Sequence, residues 1–242
     1  MAKKRQGRYT VIFEKPPLIR SYAAVVGQKE AEGPLGGYFD TVCEDPMMGR
    51  DSWEEAEGEL QYTAVSKALD KAFLRPEDVE YIFAGDLLGQ TIASSFGLME
   101  LQIPHFGLYG ACSTMGESLS LASMAIDGGF ADRVAAVTSS HFASAEKQFR
   151  FPLGYGNQRS LAATWTVTGS GAVILENSKE CSEQAAEKCV RIAAVTTGKI
   201  IDYGIKDSQN MGACMAPAAA FVISSHLKDM GRKAEDYDRI IT

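Results

Sequence analysis

Apolar and polar positions follow two periods along the chain, and these periods divide it into helices and short strands. Between residues 53 and 73 the apolar positions recur every three or four residues, which predicts an amphipathic helix. Short apolar and β-branched blocks bounded by polar or glycine-rich loops predict buried strands, at residues 80–84, 106–111, 133–139 and 163–176. Strands that alternate with helices indicate an α/β fold.

One short segment recurs late in the chain in similar surroundings. Residues 77–83 (Glu-Asp-Val-Glu-Tyr-Ile-Phe) and 235–241 (Glu-Asp-Tyr-Asp-Arg-Ile-Ile) both join an acidic cap to an apolar strand, and a helical pattern precedes each. The repeat predicts a duplicated α/β unit. We expect a first half over residues 1–176, carrying Cys112, and a partial second half over residues 189–242.

Cys112 lies where a predicted strand meets a predicted helix, within residues 107–116 (Gly-Leu-Tyr-Gly-Ala-Cys-Ser-Thr-Met-Gly). A helix N-terminus carries unpaired N–H groups and a partial positive charge, which favour a thiolate and bound anions. Gly110 and Gly116 permit tight backbone geometry there. Free cysteine is also a common core residue, so the local pattern fits a site and a core position equally well.

Composition narrows the function classes. The chain has 242 residues, 45% of them hydrophobic, and a net charge of −7, which argues against general nucleic-acid binding. Residues 1–20 differ, with six basic residues and one acidic residue; this fits attraction to an anionic membrane surface or, as we favour, a solvated leader. Because the sequence has neither a secretory core nor an apolar run of membrane-spanning length, we expect cytoplasmic synthesis.

The cysteines and histidines lack the spacing of metal sites. Five cysteines, none in a C-x-x-C pair, argue against structural zinc and against a disulfide framework: Cys43, Cys112, Cys181, Cys189 and Cys214. His105, His141 and His226 are also far apart in sequence. We therefore expect no metal held by protein ligands alone, and no cofactor.

Several longer strings resemble one protein family. A strand ending in Gly-Ala-Cys-Ser-Thr, a closing strand over residues 167–175 (Val-Thr-Gly-Ser-Gly-Ala-Val-Ile-Leu) and the duplication resemble the thiolase and ketoacyl-synthase superfamily. Within it, residues 106–115, 139–152 and 155–159 (Tyr-Gly-Asn-Gln-Arg) are similar to the stage V sporulation protein AD family. The resemblance spans essentially the whole chain.

The resemblance implies a fold, a ligand and partners. The fold would be the thiolase-like, duplicated five-layer α/β/α/β/α architecture, with the second half incomplete in a C-terminally truncated chain. The function would be binding of dipicolinic acid and support of its uptake into the developing spore, with or without calcium, and with a bearing on germination. The protein would lie peripherally at the inner spore membrane with other proteins of its operon, and the complete form would be a homodimer joined through residues 106–111.

The same superfamily contains condensing enzymes, which need more than a cysteine. Their second half supplies histidine, or histidine with asparagine, to activate the thiol and to stabilise the oxyanion. His226 falls inside a predicted helix rather than in a loop after a strand, and so matches that partner poorly. We favour a non-catalytic binding protein; the alternative is an acyltransferase with Cys112 as its catalytic nucleophile.

Dipicolinate is a planar aromatic dianion, so its pocket needs charge-assisted donors and a flat apolar wall. His141 follows the strand 133–139 at the sheet edge where Cys112 should emerge, and it fits a pocket residue and a loop-packing residue equally. Residues 142–160, predicted to be irregular, combine polar donors with aromatic side chains. The candidate ligand-binding residues are Cys112, His141, Lys147, Arg150, Asn157, Gln158 and Arg159.

Overall fold

The computed structural model describes residues 4–149, 164–178, 189–207 and 210–241. Its contacts divide the chain into two compact units. One unit is Pro17–Arg191, and the other combines Met1–Pro16 with Ile192–Thr242. The first sixteen residues therefore group with the C-terminal part of the chain.

The strands and helices of the described residues have the following bounds. The strands are β1 (Arg5–Gln6), β2 (Thr10–Ile12), β3 (Leu18–Gly27), β4 (Thr41–Cys43), β5 (Tyr81–Asp86), β6 (His105–Gly107), β7 (Arg133–Ser140), β8 (Gly169–Glu176) and β9 (Ala194–Thr196). The helices are α1 (Gln28–Ala31), α2 (Trp53–Ala72), α3 (Ile92–Gly97), α4 (Thr114–Asp127), α5 (Phe142–Phe149) and α6 (Met211–Met230).

In the described part of Pro17–Arg191, six strands form one mixed sheet in the order β4-β3-β8-β7-β5-β6. β8 is antiparallel to its neighbours β3 and β7, while the other neighbouring pairs are parallel. The carboxyl ends of β3 to β7 consequently lie at one edge of the sheet. In open α/β sheets this is the edge at which ligands bind.

Helix α2 forms where its sequence predicts. Ser52 caps the N-terminus, accepting a 3.2 Å hydrogen bond from the Glu55 N–H and donating a 2.9 Å bond to the Glu55 carboxylate. Phe73, at φ 58°, ends the helix in the left-handed region. The buried stripe of α2 packs on β3, β7 and β8.

Helices α2 and α4 cover opposite faces of the sheet. The central strands contribute residues to both faces, because successive residues of a strand point to opposite sides. Ala135, Val137 and Ile174 belong to the same buried cluster as Leu60 and Val65 of α2. The intervening strand residues face α4, which packs on β5 and β7. Both faces of the central strands are buried, which explains why their sequences are apolar almost throughout.

The second unit is built differently in its described part. β1, β2 and β9 form an antiparallel sheet against which α6 packs. The Asp229 carboxylate of α6 accepts N–H bonds from Tyr9 at 2.8 Å and Thr10 at 3.1 Å. His226 accepts from or donates to Thr196 and Tyr237, each at 2.7 Å.

The helix and the acidic turn of the predicted repeat are both observed twice, whereas the strand predicted to end the second copy does not form in the described residues up to 241. Both ends of α6 lie 158 positions after those of α2 (53 and 211, 72 and 230), and both helices span 20 residues. Asn210 caps α6 as Ser52 caps α2, and Gly231 repeats the left-handed C-cap of Phe73. Each helix leads to a 3₁₀ turn, Pro76–Asp78 or Ala234–Asp236, closed by the final aspartate.

Three predicted segments of Pro17–Arg191 need correction. The strand predicted over residues 163–176 begins only at Gly169, as β8. The strand predicted over residues 106–111 is the shorter β6, because the chain leaves the sheet after Gly107 to make room for the Cys112 turn. Residues 142–149, predicted to be irregular, form helix α5. The apolar residues of that segment recur at helical spacing, and contacts from distant parts of the chain hold the helix in place.

Candidate functional site

Three parallel strands deliver polar groups to one edge of the sheet. β5 ends at Asp86, β7 ends at Ser140, and the chain after β6 continues into the turn that contains Cys112. β5 lies between the other two strands. The segments that follow these strands form the candidate site.

Cys112 lies in a 3₁₀ turn, Ala111–Ser113, that runs directly into α4. Ala111 has a φ of 49°, an unfavourable conformation for a residue with a Cβ. Two local bonds hold the turn: Ser113 Oγ donates to Gly110 O at 2.7 Å, and Thr114 Oγ1 donates to Ala111 O at 2.8 Å. The thiol is exposed at the start of a 14-residue helix, so it is not a core residue of this unit.

Close packing beneath this turn requires a glycine in β5. A Cβ on Gly85 would lie 2.2 Å from the carbonyl oxygen of Leu108 and 2.7 Å from a methyl carbon of Thr114. Only a residue without a side chain lets the chain before Cys112 pass so near the strand. Gly85 therefore sets the position of the Cys112 turn.

Asp86 is fully buried at the end of β5. Its carboxylate accepts bonds from the N–H of Thr91 at 3.2 Å and from the N–H and Oγ of Ser94 at 3.4 and 3.2 Å. These bonds order the loop between β5 and α3, in which Gln90 and Thr91 have positive φ. Asp86 thus organises the backbone of the site instead of presenting a charge to solvent.

A second buried carboxylate lies on α2 and was missed by the sequence analysis. Glu57 Oε1 accepts a 2.8 Å bond from Ser139 Oγ, and Glu57 Oε2 accepts a 2.5 Å bond from Ser144 Oγ. Burial raises the pKa of Glu57 to about 7, although the two serine hydroxyls oppose the shift. The available signal was a pair of polar residues, Glu57 and Gln61, on the otherwise apolar stripe of α2.

Gln61 connects this carboxylate to Asp86. Its Nε2 donates to Ser139 Oγ at 2.7 Å, to Ser94 Oγ at 3.0 Å and to Gly85 O at 3.3 Å. Within the described residues, no hydrogen-bond partner lies near the buried Gln61 Oε1. The resulting network joins α2, α3, α5 and the ends of β5 and β7.

His141 is fully buried directly after β7. Its Nδ1 accepts the Ala143 N–H at 3.2 Å, so Nε2 carries the proton and donates to Pro46 O at 2.8 Å. The ring also packs against Trp53 and Phe142, with centroids 5.2 Å away in each case. Burial lowers the pKa of His141. Of its two predicted roles, these contacts describe loop packing.

Helix α5 presents two of the polar side chains of the predicted binding segment. Lys147 pairs with Glu54 of α2, and Gln148 Nε2 donates to Leu88 O at 3.0 Å. Gln148 therefore contacts the loop that follows β5, whereas Lys147, a predicted ligand-binding residue, lies against α2. The predicted residues Arg150, Asn157, Gln158 and Arg159 lie outside the described residues.

Metal-binding groups and membrane-spanning helices are absent from the described residues. No three of their histidine, cysteine, aspartate and glutamate side chains come together as a metal-binding group. None of their helices is long and apolar enough to cross a bilayer. Within the described residues the Cys112 thiol makes no hydrogen bond.

Comparison with known sequences identifies close relatives. The family model for stage V sporulation protein AD matches residues 7–242. A protein of that name from Bacillus subtilis is 44% identical over 239 residues, which cover 99% of this chain and 68% of the relative.

Solved structures share the fold at much lower identity. A variant of OleA from Xanthomonas campestris bound with cerulenin has a TM-score of 0.64 at 14% identity, over 94% of this chain and 75% of that one. The 3-oxoacyl-(acyl carrier protein) synthase III FabH from Xanthomonas oryzae has a TM-score of 0.58 at 14% identity, over 95% and 77%. The predicted thiolase-like α/β fold is confirmed.

Proposed function

The chain belongs to the stage V sporulation protein AD family, and on that premise we propose that it binds dipicolinic acid and supports its uptake into the developing spore. Its role in sporulation follows from the family. The proposal adds the ligand, and it assigns the thiolase-like site to binding instead of catalysis.

One observation carries the non-catalytic assignment: the exposed Cys112 thiol is not hydrogen-bonded to a described histidine. His141 is occupied by Pro46 and Ala143, and His226 by Thr196 and Tyr237. A condensing cysteine needs a base and oxyanion donors near the thiol. The turn retains the other property of such a site, which is a helix N-terminus that attracts an anion.

Dipicolinate binding would use this helix terminus together with α5 and the segment after it. Lys147 provides a cation and Gln148 an amide donor on α5. To reach a ligand carboxylate, Lys147 would exchange its partner Glu54 for the ligand. Arg150, Asn157, Gln158 and Arg159 would supply further donors, Cys112 would border the pocket, and the buried His141 would hold the adjoining loop in place.

Partners and location belong to the same proposal. The exposed edge strand β6, with Phe106 49% exposed and Tyr109 beyond it 55% exposed, fits the pairing of two copies as a homodimer. Association with other proteins of the operon would hold the protein peripherally at the inner spore membrane. Calcium would enter, if at all, with the ligand.

Titration calorimetry tests the ligand. We expect saturable heat with dipicolinate and at least tenfold weaker binding of pyridine-2-carboxylate, which lacks one carboxylate and therefore one set of charge-assisted bonds. Parallel titrations with and without calcium show whether the ion accompanies the ligand. Equal affinity for both compounds, or no saturable heat with dipicolinate, would overturn the proposal.

A second candidate function rests on the strained, exposed position of Cys112. A thiol at the start of α4, after a residue with positive φ, is placed as a nucleophile is placed in acyl transfer. That activity predicts covalent labelling by acyl-coenzyme A that disappears in Cys112→Ser. Absence of labelling with several acyl groups would exclude it.

A further inference from the structure

Glu57 occupies an unusual position for a carboxylate. It is 1% exposed, yet its partners in the described network are two neutral hydroxyls instead of a cation. One hydroxyl, Ser139, belongs to the end of β7, and the other, Ser144, belongs to α5. Glu57 therefore bonds the helix that carries Lys147 and Gln148 to the interior of the unit. We call the hydrogen-bonded group of Glu57, Ser139 and Ser144 the clasp.

The clasp can satisfy its hydrogen bonds with or without a proton. Ser144 Oγ lies 2.5 Å from Glu57 Oε2 and 3.1 Å from His141 O. When Glu57 is ionised, the single Ser144 proton goes to the carboxylate. When Glu57 is protonated, its O–H donates to Ser144 Oγ, and the Ser144 proton is free to bond His141 O. The protonated state thus has one additional bond in the first turn of α5.

The charges around the clasp oppose ionisation. Glu54 on α2 and Asp86 at the end of β5 both repel an ionised Glu57. On α5, Lys147 is paired with Glu54, and Glu146 accepts the Thr166 N–H. His141 is held in its neutral tautomer, and helix α3 carries no charged residue.

We propose that Glu57 is a positioning residue that couples proton binding to the placement of α5, so that affinity for the dianionic ligand falls as Glu57 ionises. The proposal rests on the proposed function, since it takes α5 as part of the dipicolinate site. In the protonated state Ser144 bonds both Glu57 and His141 O, and the site has one negative charge fewer. In the ionised state Ser144 keeps a charge-assisted bond to Glu57 and loses the bond to His141 O, and a buried anion lies behind a site for another anion.

The test is the pH profile of dipicolinate affinity, measured by calorimetry from about pH 5.5 to about pH 8.5. Because the protonated fraction of Glu57 falls from about nine tenths at about pH 6 to about one tenth at about pH 8, we expect the wild-type Kd to rise about tenfold between those two pH values. Glu57→Gln, which keeps the shape and removes the charge, should bind with a flat profile. Glu59→Gln is the matched control, because Glu59 lies on the same helix and pairs with Arg50 outside the network; it should follow the wild type.

A second variant tests the hydrogen bond between Glu57 and α5 from the other partner. Ser144→Ala removes the bond between Glu57 and α5, so it should bind more weakly than the wild type at low pH and keep only the part of the pH dependence that comes from the charge of Glu57. A wild-type profile retained in Glu57→Gln, or a flat profile in the wild type, would refute the coupling.

If no dipicolinate binds at any pH, the proposed function fails, and hydrogen exchange decides the clasp separately. Amides of residues 142–149, corrected for intrinsic rates, should then exchange faster above neutrality in the wild type but not in Glu57→Gln. Equal behaviour of the two proteins would reject the clasp.

Discussion

At the scale of single residues, the site is defined by how its charged groups are partnered. Asp86 and Glu57 are both buried, but Asp86 has two backbone N–H donors and a hydroxyl, whereas Glu57 has two hydroxyls. The half-buried Lys147 instead has a carboxylate partner, Glu54. Asp86 and Glu57 are buried and organise the site, whereas the half-buried Lys147 can exchange its partner Glu54 for a ligand.

Stability should depend on pH through Glu57. Its ordinary pKa of 4.5 applies to the unfolded chain, and its folded value is about 7, so the folded state holds the proton more tightly. The contribution is full below about pH 4.5 and is lost as the pH rises through about 7, a change of about 3 kcal/mol. In urea unfolding, the stability of the wild type relative to Glu57→Gln should fall by this amount. Parallel pH profiles of the two proteins would contradict it.

The pair Glu54 and Lys147 makes a prediction about binding. If Lys147 leaves Glu54 to bind a ligand carboxylate, Glu54→Gln removes the competitor and should tighten dipicolinate binding by up to about fivefold, the value of a partly exposed pair. Lys147→Gln should weaken binding, and adding Glu54→Gln to it should then change nothing. Calorimetry on the three variants checks this, and weaker binding by Glu54→Gln alone would refute the exchange.

At the scale of elements, the Cys112 turn depends on its packing against β5. The carbonyl of Leu108 approaches Gly85 so closely that no side chain fits, and the turn then begins α4 with a left-handed alanine. The geometry of the thiol is thus fixed by a strand that contributes no functional side chain. Helix α5 is likewise positioned by a residue of another element, Glu57 of α2.

A pair of glycine substitutions tests this dependence. Gly85→Ala places a Cβ against backbone and should destabilise the fold by about 1–3 kcal/mol and alter the reactivity of Cys112. In α4, Gly116 has open space around its Cα, so Gly116→Ala should stabilise by about 0.5–1 kcal/mol. Denaturant unfolding and thiol-modification rates check both variants. A neutral Gly85→Ala would show that the turn is not held in this way.

At the scale of the whole molecule, local signals predicted the repeated elements well. The helical period and the acidic segments on which the prediction rested lie within or directly after the two helices, whose caps at Ser52 and Asn210 the structure adds. The sequence did not reveal the Glu57 network, because Ser139 and Ser144 meet Glu57 across 82 and 87 positions of chain. Non-local bonds of this kind leave only a weak trace, such as a polar residue on an apolar stripe.

The proposed homodimer is also a property of the whole molecule. Tyr109 lies within the predicted interface, so Tyr109→Glu should convert a dimer to a monomer in sedimentation, because a buried unpaired charge is costly at an interface. Tyr38→Glu, at a side chain 82% exposed in another part of the chain, is the matched control and should leave the dimer intact. A monomeric wild type would remove the proposal.

The Cys112 site is proposed to bind a small dianion without using the thiol chemically. Calorimetric titration of dipicolinate into the wild type and Cys112→Ser tests it most directly. We predict saturable binding by both proteins, with Kd values within about threefold of each other, because serine keeps the turn and the helix terminus. Absence of saturable heat in the wild type would contradict the account.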